Sequence, residues 1–151
     1  MKQQVTQLLV AIVCLVFAVL LFVGVQGVID NLKLRRIRRG REGKGFTRER
    51  FVDSFRPFGV PDKIPATVFD YYTSGGIWKD FPLSPDDTYS QVLWDDPDDI
   101  DEDARALIER LQMRVLPEYI LREYGNKPLV TLRDMVLWLD WIRQRQGARS
   151  I

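Results

Sequence analysis

VTQLLVAIVCLVFAVLLFVGVQGVI, residues 5–29, decides the architecture. Nothing charged stands between Gln3 and Ile29, and Leu, Val, Ile, Phe and Ala dominate the run. As an α-helix it extends roughly 37 Å at 1.5 Å per residue, enough to cross a hydrocarbon layer of about 30 Å with some tilt. Its strongly polar members, Gln7 and Gln26, fall near the two ends where headgroups would meet them, and Gly24 and Gly27 are ordinary in such a helix. The stretch predicts one transmembrane anchor over residues 1–30.

The charges on either side predict its direction. Lys2 precedes the run, whereas Lys33, Arg35, Arg36, Arg38, Arg39, Arg41 and Lys44 follow it. That bias places the amino end outside and the carboxyl-terminal part in the cytoplasm, in a plasma or inner membrane. A cleavable secretory signal would carry its positive charge ahead of a shorter apolar region and end in a small-x-small site. Val25-Gln26-Gly27 does not supply that site.

Composition limits the chemistry of what remains. There is no histidine and one cysteine, Cys14, which sits inside the apolar run. Histidine-assisted nucleophiles, histidine metal ligands and an intrachain disulfide are therefore excluded, and the sequence predicts a non-catalytic protein without a cofactor. The net charge of +1 hides a segregated distribution. Residues 31–45, NLKLRRIRRGREGKG, form a basic juxtamembrane linker punctuated by Gly40, Gly43 and Gly45. Within it Lys33, Arg35, Arg36, Arg38, Arg39 and Arg41 are the candidates for contact with anionic lipid headgroups. Nucleic acid is not expected as a partner, because no aromatic residues are interleaved with those cations.

Residues 46–145 read as one small cytoplasmic domain with one core. Thr47 is a candidate N-cap, and Phe51, Val52, Phe55 and Phe58 follow at helical spacing until Gly59. Pro61-Asp62 restarts the pattern, which runs through Ile64, Val68, Phe69 and Tyr72 to Gly75-Gly76. A loop carrying Trp78, Phe81 and Pro82 should plug the core. Ser84-Pro85-Asp86-Asp87 then has the form of a helix start: a capping serine, proline in the first turn and carboxylates facing the dipole. Ile100, Ala104, Leu107, Ile108, Leu111 and Val115 predict the principal helix, broken at Pro117, with further turns over residues 118–124. Leu129-Val130 is extended, and Thr131-Leu132-Arg133-Asp134 opens the last helix with a capping-box pattern. Leu132, Met135, Val136, Leu139 and Ile142 make its buried stripe, with Trp138 and Trp141 at the flanks. Residues 146–151 should fray. The fold class expected is all-α: one N-terminal membrane helix and a bundle of about four to six helices.

Between Asp80 and Asp103 stand ten carboxylates, and no cation lies between Phe81 and Asp103. An EF-hand loop would need Gly at its sixth position and Glu at its twelfth. Starting at Asp96 those positions hold Asp101 and Leu107; starting at Asp98 they hold Asp103 and Glu109, with Ile100 at the third. Neither register binds calcium in that way. The run is hydrophilic enough to stay ionised, so Asp98, Asp99, Asp101, Glu102 and Asp103 are candidates for docking a protein with a basic surface. The alternative is a carboxylate- and metal-dependent enzyme or enzyme subunit at the membrane, using Asp86, Asp87 and Asp99.

Phe81 to Arg143 resembles an acyl-carrier-protein-like domain. The resemblance rests on the Pro-Asp-Asp opening, the acidic Asp98-Asp99-Ile100-Asp101 start of the principal helix, and the final Leu-Val-Thr-Leu-Arg-Asp-Met-Val phrase at 129–136. It implies a small helical bundle whose acidic principal helix meets basic partners. Asp99 stands where that family has the serine that carries phosphopantetheine, and one extra residue lies between Leu93 and Asp98. A carboxylate has no hydroxyl to form the phosphodiester, so the resemblance implies the docking mode without the carrier chemistry.

Overall fold

The computed structural model describes residues 2–75, 78–93, 97–114 and 128–147. Among them the regular secondary structure is helical, apart from one isolated antiparallel bridge between Thr88 and Thr131. The chain divides into two compact units, Met1–Gly40 and Arg41–Ile151.

The first unit is helix throughout its described length. Helix α1 spans Lys2–Arg41, through a sequence with no proline before Pro57. From Cys14 to Val25 its side chains are exposed on every side, Leu15 at 67% and Phe22 at 65%. The side chains of residues 2–11, 13, 26, 27, 30 and 31 lie outside those described. Among the described residues, no helix is long and apolar enough to cross a membrane.

The second unit holds the core. Thr47 caps α2 (Arg48–Asp53) by accepting the Arg50 N–H at 3.3 Å, as its residue type predicts. A single 3-10 turn, Arg56–Phe58, ends at Gly59 with φ +70°, a backbone setting that glycine adopts without steric cost. Helix α3 (Lys63–Thr73) follows and is the centre of the unit, packing on α2, α4 (Pro97–Arg110) and α5 (Leu132–Gly147). Phe51 meets Phe55 at 5.5 Å and the edge of Phe69 at 5.4 Å between ring centres, separations at which aromatic pairs attract. Val68, Leu107, Leu132, Met135, Val136, Leu139 and Ile142 have no exposed surface. The buried stripes expected of α3 and α5 are therefore the observed ones, and that of α4 holds at Ala104, Leu107, Ile108 and Leu111, while Ile100 is half-buried and Val115 lies outside the described residues. Phe81 and Leu83 are buried with them, and Trp78 packs edge-on against Phe81 at 5.2 Å.

Four local expectations change. The spacing from Phe51 to Phe58 is not one helix: α2 stops at Asp53, and Phe58, in the 3-10 turn, is exposed. No helix starts at Ser84. Residues 84–87 turn instead, Thr88 bridges to Thr131, and Tyr89–Leu93 make a π turn. The cause is pairing with a distant segment: Tyr89 N–H donates to Val130, Leu132 N–H to the Asp87 carbonyl and Arg133 N–H to the Pro85 carbonyl. Helix α4 begins at Pro97 and ends at Arg110 rather than running on to Val115; Gln112 takes φ +57°, a left-handed setting in which the helix does not continue. Helix α5 extends to Gly147, and the Gln146 side chain pairs with the Arg114 backbone in both directions. Gly76, Ile77, Trp94 to Asp96, Val115 to Lys127 and residues 148–151 lie outside the described residues.

Candidate functional site

The acidic start of α4 is divided by the helix into two faces. Ala104, Leu107, Ile108 and Leu111 turn into the core, while Asp99, Asp101 and Glu102 are exposed. The Asp98 side chain lies outside those described. Asp103 is set apart from its neighbours. Its carboxylate accepts from the Tyr71 and Tyr72 hydroxyls, each at 2.6 Å, and is half-buried. The Arg110 guanidinium lies 4.8 Å from the centre of the Tyr71 ring. Burial, then the neighbouring Tyr89, then the bond to Asp103 push the Tyr72 hydroxyl far above its ordinary range. Asp103 is thus a tie between α3 and α4, leaving Asp99, Asp101 and Glu102 as the described outward carboxylates of the predicted set.

The other acids of the run are distributed among arginines. Asp87 is only 3% exposed. Its carboxylate takes two bonds from Arg41, the closer oxygen at 2.5 Å, and a third from the Ser84 N–H at 2.7 Å. Arg41 also donates to the Pro82 carbonyl at 2.8 Å and lies 5.0 Å from the Phe46 ring centre. A bidentate guanidinium with a further donor on a backbone carbonyl is a geometry in which a desolvated ion pair holds. Asp86 meets Arg133 at 2.9 Å. Asp86, Asp87 and Asp99 are therefore not gathered into one constellation, and among the described residues no group of three acids or cysteines stands close enough to hold a metal ion.

Of the cations assigned to lipid, Lys33, Arg35, Arg36 and Arg39 are exposed and Arg38 is half-buried. Arg41 is committed to Asp87, a partner 46 positions away that no local pattern announces. Trp141 is covered by Arg145 at 5.4 Å, and Trp138 is half-buried.

No known family matches the chain, and neither does any curated protein or solved structure.

The sequence reading missed one concave site. Residues 44–47, Arg50, Phe51 and residues 83–85 line a cleft of about 190 Å³. Buried Phe51 and Leu83 contribute apolar surface, and exposed Lys44, Phe46 and Arg50 line it as well. Gly45, at φ +75°, lets the Arg50 guanidinium lie across it, with Cζ 2.6 Å from where a β-carbon would stand. The arginine donates to the Lys44 carbonyl at 3.3 Å. The signal available in sequence was the Gly-Lys-Gly-Phe-Thr phrase at 43–47, which reads equally well as a flexible linker.

Proposed function

We propose that this chain is a single-pass, membrane-anchored interaction module without catalytic activity, displaying its helical unit in the cytoplasm and docking a basic protein partner through the start of α4. The observation that carries the docking is the division of α4: its rear is core, and Asp99, Asp101 and Glu102 are exposed on the other side, in a sequence interval from Phe81 to Asp103 that holds carboxylates and no cation. Carboxylates so placed raise the rate of encounter with a basic surface and lose that advantage in salt. The anchor is supported by the apolar side chains exposed all around α1 from Cys14 to Val25, since a helix that is apolar on every face needs protein or lipid around it. Lys33, Arg35, Arg36, Arg38 and Arg39 would then lie at the inner headgroups. With Asp99 in the serine's place, the acyl-carrier resemblance contributes a manner of binding and no acyl transfer.

The test is crosslinking of the full chain in intact membranes, with a triple variant D99N/D101N/E102Q beside it. A partner recovered with the parent chain, lost from it as salt is raised and diminished at least tenfold with the triple variant, supports the reading. Undiminished recovery with the triple variant removes α4 as the docking element.

A further inference from the structure

The cleft beside Gly45 has the chemistry of an anion site with an apolar wall. Arg41, Arg48, Arg56, Arg133 and Arg143 each face a carboxylate. Lys44 and Arg50, on the rim of the cleft, face none among the described residues. Glu49, next to Arg50 in sequence, is drawn to its own backbone N–H and to the Thr47 hydroxyl, which hold its carboxyl below the usual range. Glu49 does not line the cleft. Ser84 accepts the Asp86 N–H at 3.4 Å, which leaves its hydroxyl proton to donate. Arg50 spends one donor on the Lys44 carbonyl and keeps the rest of its fork. The walls supplied by Phe46, Phe51 and Leu83 are apolar, and Phe46 is 37% exposed at the rim.

The geometry points to a binding site for a phosphate group attached to an apolar body, held by Lys44, Arg50 and the Ser84 hydroxyl with its apolar part against Phe46 and Leu83. Arg recognises phosphate by paired N–H donors, and Lys adds a point charge. A cleft of about 190 Å³ has room for a phosphate and the first carbons beside it, with the rest of a ligand lying outside. A phosphate-bearing lipid is one source of this chemistry and a soluble phosphate compound is the other. The lipid source rests on the membrane reading proposed above; the site itself does not.

The experiment is amide hydrogen exchange on the full chain in three settings: nanodiscs of phosphatidylcholine alone, nanodiscs containing phosphatidic acid, and detergent with millimolar inorganic phosphate. Exchange at residues 44–51 and 83–85 should slow at least fivefold on adding phosphatidic acid. The effect should vanish in Lys44→Ala and Arg50→Ala and survive in Arg48→Ala, whose parent side chain is bound to Asp70 at 2.6 Å away from the cleft. Slowing by inorganic phosphate alone supports the same site with a soluble ligand. No slowing in either setting overturns the proposal, as does an equal loss in Arg48→Ala, which would mean unspecific charge attraction. Extraction of the chain from membranes at alkaline pH, measured separately, reports on the anchor: a chain that stays inserted while the cleft is unprotected loses only this proposal, and a chain that washes off while phosphate still protects the cleft loses only the anchor.

Discussion

Tyr72 brings its hydroxyl into the unit at 8% exposure and donates it to Asp103 at 2.6 Å. Its folded pKa is raised, by burial first, from a reference of 10.0. An unfolded chain releases that proton near pH 10 and the folded chain keeps it, so the folded state binds more protons above that pH. The contribution to stability is complete below pH 10 and declines as pH rises further, by up to about 1.4 kcal/mol per unit. Tyr72→Phe should remove this alkaline slope while costing about 1.5–3 kcal/mol at neutral pH, the worth of a hydrogen bond to a charged group. Urea unfolding from pH 8 to 11 measures both; an unchanged slope in Tyr72→Phe assigns the alkaline loss to other groups. In sequence, Tyr72 is legible as an apolar position at helical spacing, and Asp103 reads as one more solvated acid. Their bond is not legible, because whether a carboxylate at a helix start faces solvent or a tyrosine depends on which helix lies beside it.

Helix ends separate what the sequence holds locally from what it does not. At the start of α5, Asp134 N–H donates to the Thr131 hydroxyl at 3.2 Å and the Asp134 carboxylate accepts the Thr131 N–H at 2.9 Å. That is the reciprocal pairing expected of Thr-x-x-Asp, and four residues suffice to foresee it. Ser84-Pro85-Asp86-Asp87 has an equally good local form, yet the Asp87 carboxylate accepts the Ser84 N–H and pairs with Arg41 while the backbone pairs with residues 130–133. Long-range partners override the cap. The end of α4 is the third case. Gln112 N–H donates to the Glu109 carbonyl at 2.9 Å and Met113 N–H to the Ile108 carbonyl at 3.0 Å, around a left-handed Gln112. Glycine normally fills such a position, and the apolar spacing through Leu111 and Val115 gives no sign of a stop. A left-handed non-glycine residue costs roughly 1–2 kcal/mol, of which the freedom of glycine in the unfolded chain returns roughly 0.5–1. Gln112→Gly should therefore stabilise the protein by about 0.5–1 kcal/mol and raise its Tm by a few degrees. A lower melting temperature would mean that the Gln112 side chain makes a contact outweighing its backbone strain.

At the scale of the whole chain, the boundary of the folded unit moves. Composition places it at Phe46, where the basic, glycine-rich segment gives way to helical spacing; the compact unit begins at Arg41. Within that five-residue difference Arg41 makes its bidentate pair with Asp87. Arg41 resembles its neighbours in the collar in every respect that a sequence displays, but at 19% side-chain exposure it neutralises a carboxylate that is 3% exposed. Removing one partner of such a pair leaves a buried charge uncompensated and costs about 3–5 kcal/mol, a large share of the stability of a unit this size. A chain of residues 41–151 should accordingly melt well above one of residues 46–151. The comparison becomes specific when each also carries Asp87→Asn. In the longer chain the substitution strips Arg41 of its counter-charge and lowers stability. In the shorter one it removes an orphaned carboxylate and leaves stability unchanged or raised. That opposite response, read from urea unfolding of the four chains, is the signature of direct coupling. Equal melting of the two parent chains would instead put the start of the folded unit back at Phe46 and make the Arg41 pair a surface contact of little energetic weight.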